Sequence, residues 1–222
     1  MLKVLFEDEH ILVCNKPAGI ATQSGKITEK DMVSEVNNYL KSSNKKASAF
    51  LINRLDKPVC GILVFAKTKD SAAELNRQLT SGRFNKKYYA MLSKAPEKAT
   101  GTLTDYIYKE GNKAFICDKS EKDLKGAKQA ELEYEVISLD EQSRKKYFPF
   151  IQNIDDTYAC VDVHLITGRF HQIRCQFSNI GCPILGDKLY GSTLSFREGI
   201  GLVNYTLHFY HPVKGEQLSF TL

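Results

Sequence analysis

The sequence predicts an α+β fold that forms one domain over residues 1–222, with a central mixed, mostly antiparallel β-sheet and flanking helices and loops. Short strand-like runs alternate with helix-like segments, which is the pattern of such a fold. Residues 102 to 136 alternate β-like pieces with turns that contain Lys and Gly, which favours antiparallel hairpins. Neither an internal repeat nor a low-complexity linker divides the chain, so a single domain is expected.

The composition is that of a globular protein. Hydrophobic residues make up 42 % of the chain, which is enough for a sizeable core and argues against disorder. No stretch approaches the roughly 18 apolar residues of a membrane span. The opening residues MLKVLFEDEH turn acidic too soon for a signal peptide. A cytoplasmic protein without membrane contact is therefore expected.

The six cysteines form no CxxC pair, and several lie inside apolar runs, where Cys behaves as a small hydrophobic residue. This usage suits a reducing compartment. His164, His171, Cys175 and Cys182 carry zinc-type ligand atoms, but no close ligand pair brackets them as a structural zinc site requires. No metal site is predicted.

The first elements are a strand and a helix. ILVCNKPAGI is a short apolar strand that ends at Pro17, and a turn follows. From Thr28, the segment TEKDMVSEVNNYLK places Val33, Val36 and Leu40 at intervals of three and four residues behind a T-x-x-D start. This spacing predicts an amphipathic helix.

Two strand-like runs, FLINRL and GILVFAK, then flank Asp56. Ser71 and Glu74 have the spacing of a capping box, and they predict a helix that ends near Gly82. The apolar side of this helix consists of Ala72, Leu75 and Leu79. KKYYAML is the next predicted strand.

The second half of the chain is predicted to contain a long loop, a strand and a helix. LDEQSRKKYFPFIQNIDDTY is polar and rich in turn residues, so we expect a loop or hairpin before the strand YACVDVHLI. Residues 169 to 180 are predicted to be helical, with Gly181 as the stop. The apolar residues at helical intervals, which predict its buried side, are Phe170, Ile173, Phe177 and Ile180.

A polar stripe lies beside that apolar side. His171, Arg174 and Ser178 repeat at i, i+3 and i+7, so an imidazole and a guanidinium share one helix face. An arginine in such a place is commonly a surface residue with a buried stem. The pattern alone leaves open whether Arg174 is such a surface residue or part of a functional site.

Four segments resemble the RluA-type family of pseudouridine synthases. NRLDKPVCGILVFAK is similar to the family's H-R-L-D-x-x-T-S-G-L motif, and KKYYA is similar to its K-x-Y-x-A strand. TGRFHQIRCQFSNIGCPILGDKLYG is similar to the T-G-R-x-H-Q-I-R and G-x-P-I-x-G-D-x-x-Y-G segments, and EDEHILVCNKPAGIATQSG to the opening strand and turn. The matches follow the family order over residues 7 to 191. They imply a pseudouridine-synthase-like domain, which begins without a separate amino-terminal RNA-binding domain.

The chain departs from the family pattern at three places. Asn53 replaces a common His, Val59-Cys60 replaces a common Thr-Ser, and Cys175-Gln176 replaces a common Val-His. None of these positions carries a catalytic side chain of the family. The departures bear on the choice of RNA more than on the reaction.

The resemblance implies a cofactor-free isomerisation of uridine in RNA. Asp56 would be the nucleophile, and Tyr88 would pack on the uracil and help to remove the C5 proton. Burial disfavours an ionised carboxylate, so a nearby cation is needed. By the same resemblance that cation is Arg174.

The remaining site residues follow from the same motifs. Arg54 would be inserted where the target nucleotide leaves its stack. Ile184 would supply an apolar pocket wall. Arg169 and His171 would contact the RNA, whereas Asp187, in a Gly-Asp turn, has a structural role.

Structured RNA, either tRNA or rRNA, is the expected partner. Lys and Arg exceed Asp and Glu by 31 to 26, and basic residues gather with Tyr or Phe in NRQLTSGRFNKKYY, between Lys109 and Lys128, and in SRKKY. Such mixtures suit contact with phosphates and bases, although each alone is also an ordinary charged surface. No obligate protein partner is indicated, and a monomer is expected.

Two other classes of function remain open at this stage. A catalytically inactive RNA-binding module would keep the fold and the basic patches. A hydrolase would use two carboxylates, such as those of Asp56 and Asp187. Assays of turnover and of released uracil distinguish the three.

Overall fold

The computed structural model describes residues 2–25, 29–43, 48–151 and 157–222. It divides the chain into two compact units. The first comprises Met1–Asn85 and Asn204–Leu222, and the second comprises Lys86–Val203. Helices and strands are both abundant in the described part of the chain, so the predicted α+β class is confirmed.

The strands in the described residues are β1 (Lys3–Glu7), β2 (Ile11–Lys16), β3 (Phe50–Leu51), β4 (Cys60–Ala66), β5 (Asn85–Leu92), β6 (Thr100–Glu110), β7 (Lys113–Cys117), β8 (Lys128–Ile137), β9 (Ala159–Leu165), β10 (Leu202–Tyr210) and β11 (Gln217–Thr221). The α-helices are α1 (Met32–Ser43), α2 (Lys69–Thr80), α3 (Glu141–Tyr147) and α4 (Gln172–Asn179).

The first unit is built on the strand order β1-β2-β4-β10, with β3 paired to β4 and β11 paired to β10. Strands β2 and β4 run antiparallel, with Ile11 opposite Ala66 at one end. Both strands are almost wholly buried, and their apolar side chains share one core cluster with residues of α2 and β10. Burial of this continuous apolar surface is the main source of stability for the unit.

Gly61, at the start of β4, is required by a close backbone approach. A Cβ atom built there would lie 2.6 Å from the backbone oxygen of Asn204, and its φ is +143°. No side chain fits that space, and L residues rarely adopt that conformation. The glycine therefore lets β4 pack directly against β10, immediately after the loop that carries Asp56.

The second unit has the strand order β5-β9-β8-β6-β7. The pairs β5–β9, β8–β9, β6–β8 and β6–β7 are antiparallel, as predicted for residues 102 to 136. Helix α4 packs on the face of this sheet that carries Ile107, Ala114 and Ala130. The sheet thus supports the helix that carries Arg174.

Helices α1 and α2 occur where the periodicity predicts them, with different first residues. Helix α1 begins at Met32, and the Asp31 carboxylate caps it by accepting from the N–H of Ser34 at 2.7 Å. The predicted start at Thr28 lies outside the described residues. Helix α2 begins at Lys69 rather than Ser71, because Thr68 is its N-cap.

The prediction of a loop or hairpin for residues 139 to 158 is wrong in part, because residues 141 to 147 form helix α3. Asp140 caps this helix by accepting from the N–H of Ser143, and Glu141 pairs with Lys145 one turn later. None of its residues is buried, so the segment has no apolar periodicity that would have predicted a helix.

Helix α4 is shorter than the predicted helix of residues 169 to 180. Ile173 and Phe177 are buried as predicted, but Phe170 and Ile180 are exposed, so the buried side was overestimated. The helix starts at Gln172 because His171 adopts a left-handed conformation with a φ of 52°. A left-handed residue cannot continue a right-handed helix, and Phe170 is therefore outside it.

Among the described residues, no helix combines the length and the apolar character that a bilayer crossing requires.

Candidate active site

Asp56 lies in the loop of residues 52 to 59, between β3 and β4, and the residues before it are fixed to β4. Asn53 is buried, and its amide group donates to the carbonyl of Ile62 at 3.0 Å and accepts from the N–H of Val64 at 2.8 Å. Both ends of the amide are therefore used. The side chain replaces strand pairing where β3 has ended, and it fixes the entry to the loop.

The backbone next to Asp56 is held just as closely. The hydroxyl of Thr22 donates to the carbonyl of Leu55 at 2.6 Å and accepts from its N–H at 3.1 Å. The N–H of Val59 donates to the carbonyl of Asp56 at 3.0 Å and closes a turn. The Asp56 side chain itself is half-buried. The loop therefore presents this carboxylate from a fixed backbone.

Lys16, at the end of β2, lies inside the same loop. Its side chain is wholly buried, and Nζ donates to the carbonyls of Pro17 (2.9 Å), Lys57 (3.2 Å) and Val59 (2.6 Å). Burial lowers the pKa of Lys16 to about 8, while Cys60 and Asp56 oppose that lowering electrostatically. A positive charge thus lies close to Asp56, and it ties both sides of the turn together.

Tyr88 is placed on the buried side of β5. It is 6 % exposed and lies opposite Val163 of β9, whereas Tyr89 is half-buried and its ring lies 5.2 Å from that of Tyr147. Tyr88 is therefore the inward member of the pair, as strand alternation predicts. Lys86, two residues earlier on the same side, has a pKa lowered by burial.

The segment before α4 is closed by Gln172. Its Oε1 accepts from the Thr167 hydroxyl at 2.7 Å and from the N–H of Arg169 at 2.9 Å, and its Nε2 donates to the carbonyl of Glu131 at 3.0 Å. One buried amide thus holds the turn onto strand β8. It thereby fixes the backbone of the turn that carries Arg169 and His171, just before α4.

Arg174, on the first turns of α4, is 5 % exposed and forms a two-point ion pair with Asp187. Its Nε donates to Oδ2 at 2.7 Å and its Nη2 donates to Oδ1 at 2.9 Å, and the guanidinium lies 5.0 Å from the centre of the Tyr190 ring. Such bidentate geometry fixes the plane of the guanidinium. Asp187 thus orients the guanidinium of Arg174, and its predicted structural role stays a prediction.

The other predicted binding residues differ in exposure. Arg54 and Arg169 are exposed, and the Nε of Arg169 donates to the carbonyl of Gln129 at 2.8 Å. Ile184 is wholly buried and forms an isolated bridge with Leu92. His171 is half-buried, and its Nδ1 lies 3.0 Å from the hydroxyl of Tyr190.

The predicted residues fall into two sets. Arg54 and Asp56 belong to the first unit, and the second unit contains Tyr88, Arg169, His171, Arg174 and Ile184. Within the second unit, Arg174 and His171 are joined through Tyr190. The pairing of Arg174 with Asp56 stays a prediction.

The sequence analysis did not identify Lys16, Thr22 and Tyr190 as parts of this arrangement. A lysine at the end of the apolar run ILVCNK was a usable signal, because lysine is almost never fully buried without partners. Thr22 and Tyr190 carried no such signal, since their roles depend on backbone groups that are distant in sequence.

A sequence model of a family described as RNA pseudouridylate synthase matches residues 10–179. The chain is 31 % identical over 227 residues to the dual-specificity RNA pseudouridine synthase RluA of Salmonella typhimurium, covering 99 % of this chain and 91 % of that relative. It is 30 % identical over 193 residues to the ribosomal large subunit pseudouridine synthase C of Rickettsia prowazekii. That match covers 85 % of this chain and 56 % of the relative, so the chain spans little more than half of its length.

Solved structures show the same fold. The human RNA pseudouridylate synthase domain containing 4 superposes with a TM-score of 0.76 at 22 % identity, covering 99 % of this chain and 87 % of that one. The human RNA pseudouridylate synthase domain containing 1 gives a TM-score of 0.73 at 21 % identity, covering 100 % and 83 %. At these identities the likeness concerns the fold alone.

Proposed function

Because the chain belongs to the RluA-type RNA pseudouridylate synthase family, we propose that it converts uridine to pseudouridine in structured RNA. In this isomerisation the bond from N1 to C1′ breaks, the uracil rotates, and C5 bonds to C1′. The C5 hydrogen is released as a proton. The reaction needs a nucleophile, a cation and a pocket for the flipped base.

The observation that carries this proposal is the fixed loop around Asp56. Asn53, Thr22 and Lys16 hold the backbone on both sides of it, so the carboxylate does not have to be ordered when RNA binds. Such preorganisation is what a nucleophile requires. Asp56 is the proposed nucleophile, and Lys16 is a nearby positive charge.

The other proposed roles follow from the family resemblance. Tyr88 packs on the uracil and assists removal of the C5 proton. By the family resemblance, Arg174 is the proposed cation for the nucleophile, and Asp187 fixes the plane of its guanidinium. Ile184 forms a pocket wall, and the exposed Arg54 fills the space that the flipped nucleotide leaves.

The proposed substrate is structured RNA, either tRNA or rRNA, bound also through Arg169 and His171. The names of the relatives support this breadth, since one is called dual-specificity and another is assigned to the large ribosomal subunit. We place the reaction in the cytoplasm, with a monomeric enzyme and no cofactor.

Asp56→Asn tests the proposal. RNA labelled with tritium at uracil C5 should release tritium to water with the wild-type protein, because the new glycosidic bond replaces the C5 hydrogen. The variant should lose turnover by about 1,000-fold or more. Its RNA affinity should stay within several-fold, because phosphate contacts supply most of the binding.

The control is Asp70→Asn, which removes an exposed carboxylate on the first turn of α2 and should leave turnover unchanged. Residual turnover of Asp56→Asn near the wild-type level would exclude Asp56 as the nucleophile. RNA binding by the wild-type protein without tritium release would favour the inactive RNA-binding module. Release of free uracil would favour the hydrolase, although both oxygens of Asp187 already accept from Arg174.

A further inference from the structure

Phe170 is a large apolar side chain on the surface, four residues before Arg174. It is 39 % exposed, whereas the helical spacing predicted a buried residue. A single exposed aromatic residue is ordinary and carries no inference by itself. The two contacts of its ring, with His171 and with Lys109, are what suggest a ligand.

One face of the ring rests on a fixed support. The imidazole of His171 stacks on it with centroids 3.8 Å apart and an angle of 19° between the planes. His171 is held in turn by the hydroxyl of Tyr190, which is 3 % exposed and accepts from the N–H of Ala114 at 2.7 Å. The Phe170 ring is therefore backed by the sheet rather than loosely attached to the surface.

A lysine ammonium, on a flexible side chain, also lies over the ring. The Nζ of Lys109 lies 4.7 Å from the ring centre, and Lys109 is exposed near the end of β6. The contact with an exposed ring favours this position of an ammonium over free ones by about 2- to 5-fold. A nucleobase stacked on an aromatic side chain favours binding by about 5- to 150-fold. A base therefore displaces the ammonium, which stays within reach of a phosphate.

The surroundings suit a nucleotide. Arg169 is exposed, and its Nε bond to the carbonyl of Gln129 holds the guanidinium at the surface beside Phe170. The Nζ of Lys113 lies 5.2 Å from the centre of the Tyr190 ring. Cations around an aromatic platform are the usual arrangement for single-stranded nucleic acid.

We propose that Phe170 is a stacking platform for an unpaired RNA base adjacent to the target uridine, and that Lys109 covers the platform in the free protein and binds the phosphate in the complex. The adjacency rests on the proposed function, because it places the target uridine at Arg174. The platform itself does not depend on turnover.

The first experiment measures binding without catalysis. A fluorescein-labelled oligoribonucleotide of about ten uridines, within the site size of single-strand binders, is titrated at low salt and followed by anisotropy. Phe170→Ala should weaken binding by about 5-fold or more, and Phe170→Tyr should stay within about 2-fold of the wild type. Phe170→Leu should bind as weakly as the alanine variant, because leucine has no aromatic face for a base to stack on, although it keeps apolar volume.

Lys109 is tested through the salt dependence of the same binding. Lys109→Met should reduce the slope of log K against log salt by about 0.7, the value for one phosphate contact on a single strand. Lys214→Met is the control, since that lysine is also exposed and lies outside the three basic patches named above. Tyr210→Ala, which removes an aromatic residue that is also 39 % exposed, is the control for Phe170.

Several outcomes would overturn the platform. They are an unchanged affinity in Phe170→Ala, full rescue by leucine, equal losses in the control variants, and failure of the wild-type protein to bind the oligouridine. Thermal unfolding of each variant shows whether a loss of affinity comes from misfolding. Because Phe170 is exposed, its replacement should change the unfolding temperature little. The tyrosine variant keeps the test valid if alanine destabilises the turn.

The second experiment tests the adjacency, using an RNA fragment that the wild-type enzyme modifies. Replacing one neighbour of the target uridine by an abasic nucleotide should weaken binding to the wild-type protein but not to Phe170→Ala. If neither neighbour shows this coupling, the base does not stack on Phe170. If the wild type forms no pseudouridine, the proposed function fails, while the oligouridine result still decides the platform.

Discussion

Lys16 is a wholly buried lysine beneath the loop of the proposed nucleophile. Lys16→Met would leave three carbonyl oxygens without this donor, the buried one of Val59 among them, and it would remove the positive charge near Asp56. Each unsatisfied buried group is costly, so we expect the free energy of unfolding to fall by about 2–5 kcal/mol. Turnover should fall more than RNA affinity, because the loop loses its fixed shape. Urea unfolding and tritium release measure the two effects.

Lys57→Met is the matched control, because it removes a lysine next to Asp56 in the same loop. Its Nζ pairs at the surface with Glu29 at 2.6 Å, and such exposed pairs contribute little. We expect a change below about 1 kcal/mol and near-normal turnover. Equal behaviour of the two variants would show that Lys16 has no special role in the loop.

At the scale of single residues, the motifs pointed to the candidate site residues, but not to all of the groups that these residues contact. The family resemblance that led to Asp56, Tyr88 and Arg174 is confirmed by the comparisons. The acceptors of Lys16 lie up to 43 residues away in the chain, so no local pattern could reveal them. The Arg174–Asp187 pair spans 13 residues, and it becomes visible only when the turn after α4 is folded.

At the scale of elements, periodicity and caps were good predictors where one face is buried. Val36 and Leu40 of α1, and Ala72 and Leu75 of α2, are buried as their spacing indicates. Helix α3 was missed because it buries nothing and depends on a cap and an ion pair. The left-handed His171 shortened α4, and a conformation that tertiary contacts impose on a non-glycine residue cannot be read from the sequence.

The turn between β1 and β2 is an element whose stability should depend on pH. Asp8 accepts from the N–H groups of His10 and Ile11 at 2.8 Å, and its other oxygen accepts from His211 Nε2 at 2.8 Å. His211 Nδ1 accepts from the N–H of Lys214 at 3.0 Å, so the proton is on Nε2 and the contact needs no charged imidazole. Burial alone would raise the pKa of Asp8, but these hydrogen bonds outweigh it and lower the pKa.

The sign of the pH effect follows from that lowered pKa. The folded state binds fewer protons than the unfolded state, so the stabilisation is complete above the unfolded pKa of about 3.9 and is lost as the pH falls through the lower folded value. Asp8→Ala should therefore cost about 1–3 kcal/mol at pH 7 and much less near pH 2.5, below the ordinary range of aspartate. Urea unfolding at both pH values measures the difference.

Glu9→Ala, in the same turn, is the control, because Glu9 is exposed. It should leave the free energy of unfolding nearly unchanged at both pH values. A cost of Asp8→Ala that is as large in acid as at pH 7 would mean that the carboxylate acts by shape alone, without a contribution from its charge.

At the scale of the whole molecule, composition predicted a globular protein, the mixture of strand-like and helix-like segments predicted the α+β class, and the four motifs predicted the family fold. The strand orders within each unit were beyond prediction, because they are set by pairings between distant segments. In the second unit, for example, β5 pairs with β9 across 75 residues, as the contact of Lys87 with Asp162 shows. The prediction of a single domain, like that of a monomer, stays a prediction.

The cysteines offer a test that covers the cores of both units at once. None of the six is in a disulfide, and all are buried except Cys60, which is half-buried. Burial raises the pKa of Cys14 in the first unit and of Cys160 in the second to about 12, and that of Cys175 to about 11. At pH 8 a thiol with a pKa near 12 is a thiolate in only about one molecule in ten thousand, and only the thiolate is alkylated.

Burial raises the pKa of Cys60 as well, although Lys16 opposes this, and Cys60 is the one cysteine that is not buried. Iodoacetamide at pH 8 should therefore label Cys60 first in the native protein and all six cysteines in urea, as read by peptide mass spectrometry. Cys60→Ser should lose the fast label and keep its turnover, because serine is smaller, polar and compatible with a half-buried position. The alkylated wild-type protein should lose turnover, because the adduct would sit beside Val59, which accepts from Lys16. Labelling of Cys14 or Cys160 as fast as Cys60 would show that the corresponding core opens readily, contrary to the packing described above.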